Sequence, residues 1–549
     1  MEFLEYGNAF AGGELLKRQL MSFDRLEESN YKAPQIFQDY PGAQSFDWPG
    51  DYEGRTLLAL INLSRAAKRT SKTLGEILEQ LPSHLNKHDF FGSLLDITAI
   101  SEQQLSGNSW YIRALCELYE WKKEPDVLTM IKNCIESLML PLKGSYKRYP
   151  IEKEARQVLG GREDGNLTGE IIGGWRVSTD IGCAFIPIDG FSHAYHLTKN
   201  EGLKELVFEM IERLAESDLI SADFQTHATL SALRGILRFY EDTGESRLLE
   251  LAVKTFDFYT KNGMTENFAN RNWFCRPDWT EPCAVVDSYI VSMELWRHTQ
   301  KSDYLQLAHS IFYNALYYAQ RDNGGFGCDV CTGANGTQLL HPSNESVYEA
   351  WWCCTMRGGD GLAAVSRHMA AQSGDILYLP VYQDGTIKSD GLILCETTGY
   401  PYDGNVMIQV LQNESKFTKL ALFAADWMES PCMMLNSVNI PVVIENGFIL
   451  LDRALEVGDI IELSFDLSAK AVPAKSADFS KKHTVRYGAL QLCCIAEDKP
   501  RPLPNPKDIK KTGGGFTFTD KEKNEYFTPA MMTFGTREEF LHKKLQIIF

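Results

Sequence analysis

The sequence predicts an α+β multidomain protein in which an (α/α)6 barrel is followed by β-sandwich domains. In the first two thirds of the chain, apolar residues recur three and four positions apart, in runs that come in pairs. The joints between the runs resemble one another: an aromatic residue closes one helix, a short polar turn follows, and a leucine opens the next. Near residue 375 the apolar period falls to about 2, the period of a β-strand.

The barrel is assigned to residues 46–372, after an N-terminal segment, 1–45, that we expect to be irregular apart from an amphipathic piece around 15–23. Helical runs follow at 54–60, 109–122, 126–142, 183–197, 201–216, 227–242, 246–261, 284–299, 303–320 and 359–371. Helical hairpins repeated in this way close into a barrel or open into a solenoid. About six hairpins over roughly 320 residues favour the barrel.

Residues 373–549 are assigned to the β-sandwich. Short β-rich runs lie at 376–382, 406–411, 420–423, 448–451, 460–465, 485–492 and 545–549. Asp-Gly or Asn-Gly pairs at 384–385, 403–404 and 446–447 mark turns between several of them. Short strands separated by turn signals are typical of a β-sandwich.

The composition excludes several classes of partner. Hydrophobic residues make up 44% and charged residues 23% of the chain, as in an ordinary globular protein. With 55 basic and 73 acidic residues the net charge is −18, so we expect neither nucleic acid nor a membrane as partner. We see no signal peptide and no apolar run long enough to span a membrane. The odd count of 13 cysteines indicates reduced thiols, and we therefore expect a cytoplasmic protein.

The strongest chemical signal is the adjacent pair Cys353 and Cys354, together with Glu281 and Cys283 further upstream. Three thiols and a carboxylate are four ligands of the types that zinc accepts. Zinc holds coordinating thiols as thiolates at neutral pH, so the same cluster could also provide a nucleophile. The pattern predicts a zinc-thiolate catalytic site.

Two other interpretations of these cysteines stay open. Cys328 and Cys331, added to the adjacent pair, would make a structural zinc site of four thiols. Alternatively, the cysteines are simply buried as small hydrophobic residues. Adjacency alone proves little, because Cys493 and Cys494 are also adjacent and lie in an apolar strand.

Other residue types near these segments also suit a catalytic site. Glu266, in a predicted loop, is a candidate general acid/base, although a solvated glutamate is the commoner explanation; Glu349 is the alternative carboxylate. His227 opens a helix and equally fits a capping or core histidine. Four tryptophans are candidate sugar-stacking or core residues: Trp273, Trp279, Trp351 and Trp352.

Together, the barrel-then-sandwich order, the Glu-x-Cys segment at 281–283 and the Cys-Cys segment at 353–354 resemble the bacterial β-L-arabinofuranosidases of glycoside hydrolase family 127. The resemblance covers roughly residues 50–495 and includes sandwich segments at 400–404, 421–427 and 486–490. It implies an (α/α)6 barrel followed by β-sandwich domains, and one Zn2+ ion. The implied zinc ligands are Glu281, Cys283, Cys353 and Cys354, with Cys353 as the nucleophile.

The resemblance also implies roles for other residues. Glu266, in Thr-Glu-Asn-Phe, matches the place of the family's acid/base glutamate, and His227, in Thr-His-Ala, matches a histidine that touches the sugar. Glu281 could reach a sugar hydroxyl as well as zinc, and Trp352 would line the substrate site. The implied reaction is the retaining hydrolysis of a carbohydrate, similar to that of non-reducing-end β-L-arabinofuranosidases.

Alternatives to this function remain at this stage. They are a glycosidase of the same fold that acts on another sugar, a non-hydrolytic epimerase or lyase, and a binding protein with structural zinc. An epimerase or lyase would rely on histidine or tyrosine and would need no thiols. The sequence leaves both a monomer and a homodimer open.

Overall fold

The structure is a computed structural model that describes residues 1–41, 48–152, 165–274, 276–343, 347–512 and 517–549. A helical barrel is followed along the chain by a region of β-sheets, as the sequence predicts. Within these ranges we find no helix that combines the length and the apolar character of a membrane span.

Twelve helices among the described residues build the barrel, and we number them in chain order. They are α1 (Gly13–Leu26), α2 (Asp51–Ala66), α3 (Lys72–His84), α4 (Glu102–Lys122), α5 (Pro125–Cys134), α6 (Pro187–Thr198), α7 (Glu201–Ala215), α8 (Thr226–Thr243), α9 (Ser246–Asn262), α10 (Pro282–Thr299), α11 (Ser302–Ile311) and α12 (Cys354–Arg367). The even-numbered helices form the inner wall. Each contacts the next, and α12 returns to α2, so the ring is closed.

The N-terminal segment is not irregular, in contrast to the expectation for residues 1–45. Helix α1 packs against α12 and serves as the sixth outer helix. Strand Glu2–Phe3 pairs with Ala371–Ser373, and strand Ala9–Ala11 pairs with Gly385–Ser389. The segment therefore completes the outer ring and adds a strand to both main sheets. Strands of two or three residues are too short to show a period in the sequence.

Two sheets, of six and seven strands, make up the sandwich among the described residues. In spatial order, the first contains Glu2–Phe3, Ala371–Ser373, Ile376–Leu379, Lys419–Phe423, Phe448–Leu451 and Ile444–Glu445. The second contains Val438–Ile440, Glu429–Leu435, Ile460–Asp466, Asn405–Asn413, Leu392–Thr398, Gly385–Ser389 and Ala9–Ala11. Along Asn405–Asn413 buried and exposed residues alternate, which is the pattern that the sequence predicts.

Smaller sheets complete the C-terminal region and connect it to the barrel. Three strands, Ala469–Pro473, His483–Tyr487 and Leu490–Leu492, form one sheet. In another, the predicted final strand, seen at Leu545–Gln546, lies between Cys494–Ile495 and Leu339–Leu340. Because Leu339–Leu340 precedes α12 in the chain, this sheet joins the C-terminal region to a loop of the barrel.

Buried polar contacts join every neighbouring pair of inner helices. The bonds run from Asn62 to Asp360, Arg357 to Asp287, Arg234 to Asp287, Arg238 to Asp189, Arg113 to Asp189, and Arg65 to Glu117. In order, they link α2 to α12, α12 to α10, α10 to α8, α8 to α6, α6 to α4, and α4 to α2. The interior of the barrel is therefore held by a closed ring of charge pairs and hydrogen bonds as well as by apolar packing.

Glycines allow the inner helices to approach backbone to backbone. A Cβ atom on Gly54 of α2 would lie 2.2 Å from the backbone nitrogen of Tyr111 in α4. A Cβ atom on Gly235 of α8 would lie 2.5 Å from the backbone nitrogen of Asp189 in α6. A substitution at either position must push two helices apart. Such overpacking costs about 1–3 kcal/mol.

We expect Gly235→Ala to destabilise the protein by about 2 kcal/mol, because the new methyl group meets backbone that cannot move alone. Thermal unfolding measures the effect as a lower midpoint. Gly75→Ala is the control, since a Cβ on this exposed glycine of α3 meets nothing within 4 Å. The control should raise stability by about 0.5–1 kcal/mol through helix propensity. An unchanged midpoint for Gly235→Ala would contradict the close approach of α6 and α8.

Candidate active site

The predicted ligand residues meet at the N-terminal ends of two inner helices. Glu281 is the N-cap residue of α10, and Cys283 lies in the first turn of that helix. Cys353 is the N-cap residue of α12, and Cys354 is its first helical residue. The partial positive charge of a helix N-terminus favours carboxylates and thiolates at such positions.

The spacing of the ligand atoms in the cluster fits a single cation. One ligand atom from each of Glu281, Cys283, Cys353 and Cys354 lies within 4.8 Å of the others. The Sγ atom of Cys354 is 3.6 Å from that of Cys283 and 3.4 Å from that of Cys353. Sulfur atoms bound tetrahedrally to one zinc ion at about 2.3 Å lie about 3.8 Å apart. The four residues are thus spaced as one metal ion would require.

The electrostatics of the thiols point to the same need for a cation. Burial is the main effect that raises the pKa of Cys283 and of Cys354 well above the ordinary thiol value. The hydrogen bond with Cys283 lowers the pKa of Cys353, but the contact with Cys354 and burial outweigh it, and this pKa is also raised. The Arg55 guanidinium, with Nη1 3.4 Å from the Sγ atom of Cys283, opposes the shift in part. A bound metal ion would favour the thiolates far more strongly.

Cys353 is the most accessible of the three thiols. It is half-buried, whereas Cys283 and Cys354 are buried completely. Beside it, Trp352 is half-buried and Trp351 is 42% exposed. The two indole rings meet edge to face, with centroids 5.6 Å apart. Trp352 therefore stands next to the most accessible thiol, and its contact with sugar stays a prediction.

The other two tryptophans of the predicted aromatic group pack differently. The rings of Trp273 and Trp279 meet edge to face with centroids 5.2 Å apart. The Arg276 guanidinium stacks 3.5 Å above the centroid of Trp273, which is buried. Trp273 therefore packs as a core residue, and its ring, covered by Arg276 and Trp279, offers no open stacking face.

Hydrogen bonds fix the turn that presents the two adjacent cysteines. Glu349 Oε1 accepts from the Thr355 hydroxyl at 3.0 Å, across the base of the turn. Glu349 also accepts from Nε and Nη2 of Arg25 in α1, at 2.9 and 2.8 Å. The Ala350 N–H donates to the Phe326 carbonyl at 2.8 Å. Both carboxylate oxygens of Glu349, the alternative acid/base candidate, thus accept hydrogen bonds that hold this turn in place.

Three neighbours position Glu281. Its N–H donates to Asn270 Oδ1 at 2.7 Å, and its Oε1 lies 3.2 Å from Nδ1 of His227. With the amide of Asn272 oriented to suit both neighbours, Nδ2 donates to Glu281 Oε2 at 2.6 Å and Oδ1 accepts from Trp279 Nε1 at 3.3 Å. Partners of this kind fix the orientation of a ligand carboxylate. His227 itself is buried and stacks on Trp110.

Asp287 connects the two helices that carry the thiols. Its carboxylate accepts from Nη1 of Arg234 and Nη2 of Arg357, each at 2.6 Å, and from the Ser231 hydroxyl at 2.6 Å. Burial alone would raise the pKa of Asp287. The guanidinium groups of Arg357 and Arg234 more than offset burial and hold the pKa below its ordinary value. Because Asp287 is one turn from Cys283 and Arg357 is one turn from Cys354, this ion pair aligns the ligand-bearing ends of α10 and α12.

Sequence reasoning missed several of these supporting residues. Arg55 pairs with Asp51 through Nε at 2.7 Å and Nη2 at 3.0 Å, four residues apart on α2. Such pairs are common on exposed helix surfaces, so the spacing does not distinguish one that lies beside a thiol cluster. Asp287 and Asn272 carry no local signal either.

The remaining predicted residues lie outside the four-residue cluster. Glu266 is buried and accepts the Ser476 N–H at 2.6 Å through Oε1; none of its hydrogen bonds or ion pairs within the described ranges reaches the cluster. Cys331 Sγ points to the Asn270 carbonyl at 3.6 Å. Cys328 contacts Cys354 but does not join the metal-like group. Within the described part of the chain the four-thiol alternative is therefore not formed.

Comparisons with known proteins support this fold. A family model described as "Beta-L-arabinofuranosidase, GH127 middle domain" matches residues 377–467, which lie in the sandwich. The solved structure of a family 127 β-L-arabinofuranosidase from Geobacillus stearothermophilus T6 has a TM-score of 0.71 and 12% identity, over 98% of this chain and 99% of that one. A solved glycoside hydrolase has a TM-score of 0.72 and 13% identity, over 100% and 97%. A comparison with curated proteins gives no match.

A solved family 127 β-arabinofuranosidase is similar to the same degree, with a TM-score of 0.71 and 12% identity, over 100% of this chain and 97% of that one. At such identities, similarity establishes the fold. The predicted (α/α)6 barrel followed by a β-sandwich is confirmed, and so is the resemblance to glycoside hydrolase family 127. The thiol cluster lies in the barrel, outside the residues that the family model matches.

We expect Asp287→Asn to destabilise the protein by about 3 kcal/mol, because two buried guanidinium groups lose the carboxylate that they share and keep only Asp360 and Asp189 as counter-charges. Asp498→Asn, an exposed loop substitution, is the matched control. The loss should be full above about pH 4, the unfolded pKa of aspartate, since the folded pKa is lower. It should shrink as the pH falls further, through the folded pKa. Unfolding at several pH values measures it, and equal stability of the two variants at pH 7 would contradict the role of Asp287.

Proposed function

We propose that this chain is a retaining glycoside hydrolase, similar to β-L-arabinofuranosidases, with a zinc-bound cysteine thiolate as nucleophile and a glutamate as acid/base. The observation that carries the proposal is the convergence of Glu281, Cys283, Cys353 and Cys354, whose ligand atoms lie within 4.8 Å of one another. The barrel and sandwich around that site have the fold of solved structures described as glycoside hydrolases.

Zinc is the metal that suits this donor set. Thiolates are soft ligands, and a set of three thiols and one carboxylate oxygen suits zinc better than harder cations. The support of Glu281 by Asn272 and His227 is the kind of second layer that metal sites need. When bound, zinc would keep the cysteines as thiolates and make Cys353 a better leaving group from a thioglycoside.

Cys353 is the thiol that we assign as the nucleophile. It is half-buried, whereas Cys283 and Cys354 are buried completely, so it is the one of the three residues with surface open to a substrate. Attack of the thiolate on the anomeric carbon forms a thioglycoside bond and breaks the bond to the leaving oxygen. Water then attacks the same carbon, the carbon–sulfur bond breaks, and the thiolate is restored.

Glu266 is the group that we assign as acid/base. It would give its proton to the leaving oxygen in the first step and take one from water in the second. The Ser476 N–H holds Oε1 at 2.6 Å, which leaves Oε2 to carry the proton. The loop that contains Glu266 ends at Asn270, whose side chain accepts the N–H of Glu281 at 2.7 Å. This bond ties the acid/base loop to the ligand end of α10.

We expect about one zinc ion per chain after purification, measured by metal analysis. Cys283→Ser should lower both the zinc content and the unfolding midpoint, because metal binding and folding are coupled. Cys331→Ser is the control: this cysteine is equally buried but stands apart from the cluster, and its loss should leave the zinc content unchanged. A wild-type protein without zinc, or a loss of zinc in Cys331→Ser alone, would contradict the assignment of the zinc ligands.

We expect a panel of nitrophenyl furanosides and pyranosides to reveal hydrolysis by the wild type. Cys353→Ser should fold normally and lose turnover by roughly a thousandfold or more, because a serine hydroxyl is much harder to ionise. A sugar that carries a haloacetamide group should label Cys353, as located by peptide mass spectrometry. Label on Cys354, or normal turnover of the variant, would show that the nucleophile is wrong. If the wild type contains zinc but hydrolyses none of these glycosides, a binding protein with structural zinc would be favoured.

A further inference from the structure

A cavity of about 520 Å³ lies against Glu266, on the side formed with the C-terminal region. Its walls include Glu266, Ser476, Lys261, Arg271 and Lys475. The volume is in the range of small-molecule sites. The cavity therefore has room for a sugar ring next to the carboxylate.

Among the described residues, no salt bridge joins the three cations of this cavity, Lys261, Arg271 and Lys475, to a carboxylate. Within the described ranges, Lys475 Nζ lies 3.7 Å from the sulfur of Met264 and 4.4 Å from the ring centroid of Phe268, and it forms no salt bridge. The Nε atom of Arg271 is buried without a hydrogen-bond partner. This clustering of cations is unusual in a chain whose acidic residues outnumber its basic ones and give it a net charge of −18. Three cations left beside a single carboxylate indicate a site for an anion.

The same segment that holds Glu266 also supplies one of the cations. The Ser476 N–H binds the Glu266 carboxylate at 2.6 Å, and Lys475 is the preceding residue. Gly333 packs against the same place: it has φ +82°, and a Cβ atom there would lie 2.6 Å from Glu266 Cγ and 3.4 Å from Ser476 Cβ. Glu266, Gly333 and Ser476 thus meet at one wall of the cavity, and Lys475 lines the same cavity. Recognition of an anion here would occur next to the carboxylate that handles the proton.

We propose that this cavity binds the leaving group and selects substrates whose leaving group carries a carboxylate, that is, a uronic acid residue. The inference rests on the proposed role of Glu266, because a general acid must touch the glycosidic oxygen and so borders the leaving group. The Arg271 guanidinium can pair with a carboxylate through two parallel hydrogen bonds, and Lys475 adds a point charge. A neutral sugar of the same shape would leave both cations unpaired.

The experiment compares two disaccharides that differ only in one carboxylate. They are β-L-arabinofuranosyl-galacturonic acid and β-L-arabinofuranosyl-galactose. We expect the wild type to hydrolyse the acidic one with a kcat/KM at least tenfold higher. Lys475→Met and Arg271→Gln should each reduce this preference several-fold. Lys254→Met, an exposed lysine of α9, is the matched control and should keep the preference.

Binding of free galacturonate, measured by calorimetry, tests the cavity without any turnover. The wild type should bind galacturonate and not galactose, and both variants should weaken binding at least fivefold. Equal binding of the two sugars, or unchanged binding in both variants, would overturn the proposed leaving-group site whatever the activity.

The role of Glu266 is tested separately. Glu266→Gln should slow the disaccharides far more than an activated nitrophenyl glycoside, because only the former need a proton on the leaving oxygen. Equal losses on both substrates would remove Glu266 as the acid/base, and with it the reason to place the leaving group here. If the losses were equal and the wild type still bound galacturonate, the cavity would be an anion site unrelated to the reaction.

Discussion

A closed ring of buried charge pairs and hydrogen bonds joins the six inner helices, and the candidate site depends on it. A buried carboxylate or guanidinium group that loses its partner costs several kcal/mol. These bonds therefore favour one rotation of each inner helix about its axis and one position along that axis relative to its two neighbours. At Asp287 this constraint reaches the site, because Arg357 and Arg234 must both meet one carboxylate. The helix ends above it then present Cys283 and Cys354 to each other.

The glycine contacts and the polar ring both depend on inner helices that stand close together. Arginine side chains can span the interior only if the helices stand close together, and Gly54 and Gly235 allow that approach. Burial raises the pKa of Cys283 and of Cys354, and the contact with Cys354 together with burial raises that of Cys353. The same packing that brings the thiols together therefore makes their ionised forms dependent on a positive charge.

The C-terminal region does more than cover the barrel. Its last strand pairs with Leu339–Leu340, in the loop that leads to the two adjacent cysteines. Ser476 binds the carboxylate of Glu266, and Lys475 lines the cavity beside it. The proposed chemistry is thus divided: helix ends of the barrel supply the ligands and the nucleophile, and a loop held by the C-terminal region supplies the acid/base.

The sequence by itself determined the fold class and the chemical types at the site. Helical and strand periods are local properties, and the ligand character of Cys353, Cys354, Glu281 and Cys283 lies in the residues themselves. Tertiary structure decided what depends on distant segments meeting. Helix α1 became the sixth outer helix, Cys331 was separated from the cluster, and Asp287 and Asn272 became its supports. The surroundings of Glu266 were decided in the same way, because Ser476 is far from it in sequence and only the packing of the C-terminal region against the barrel brings the two together.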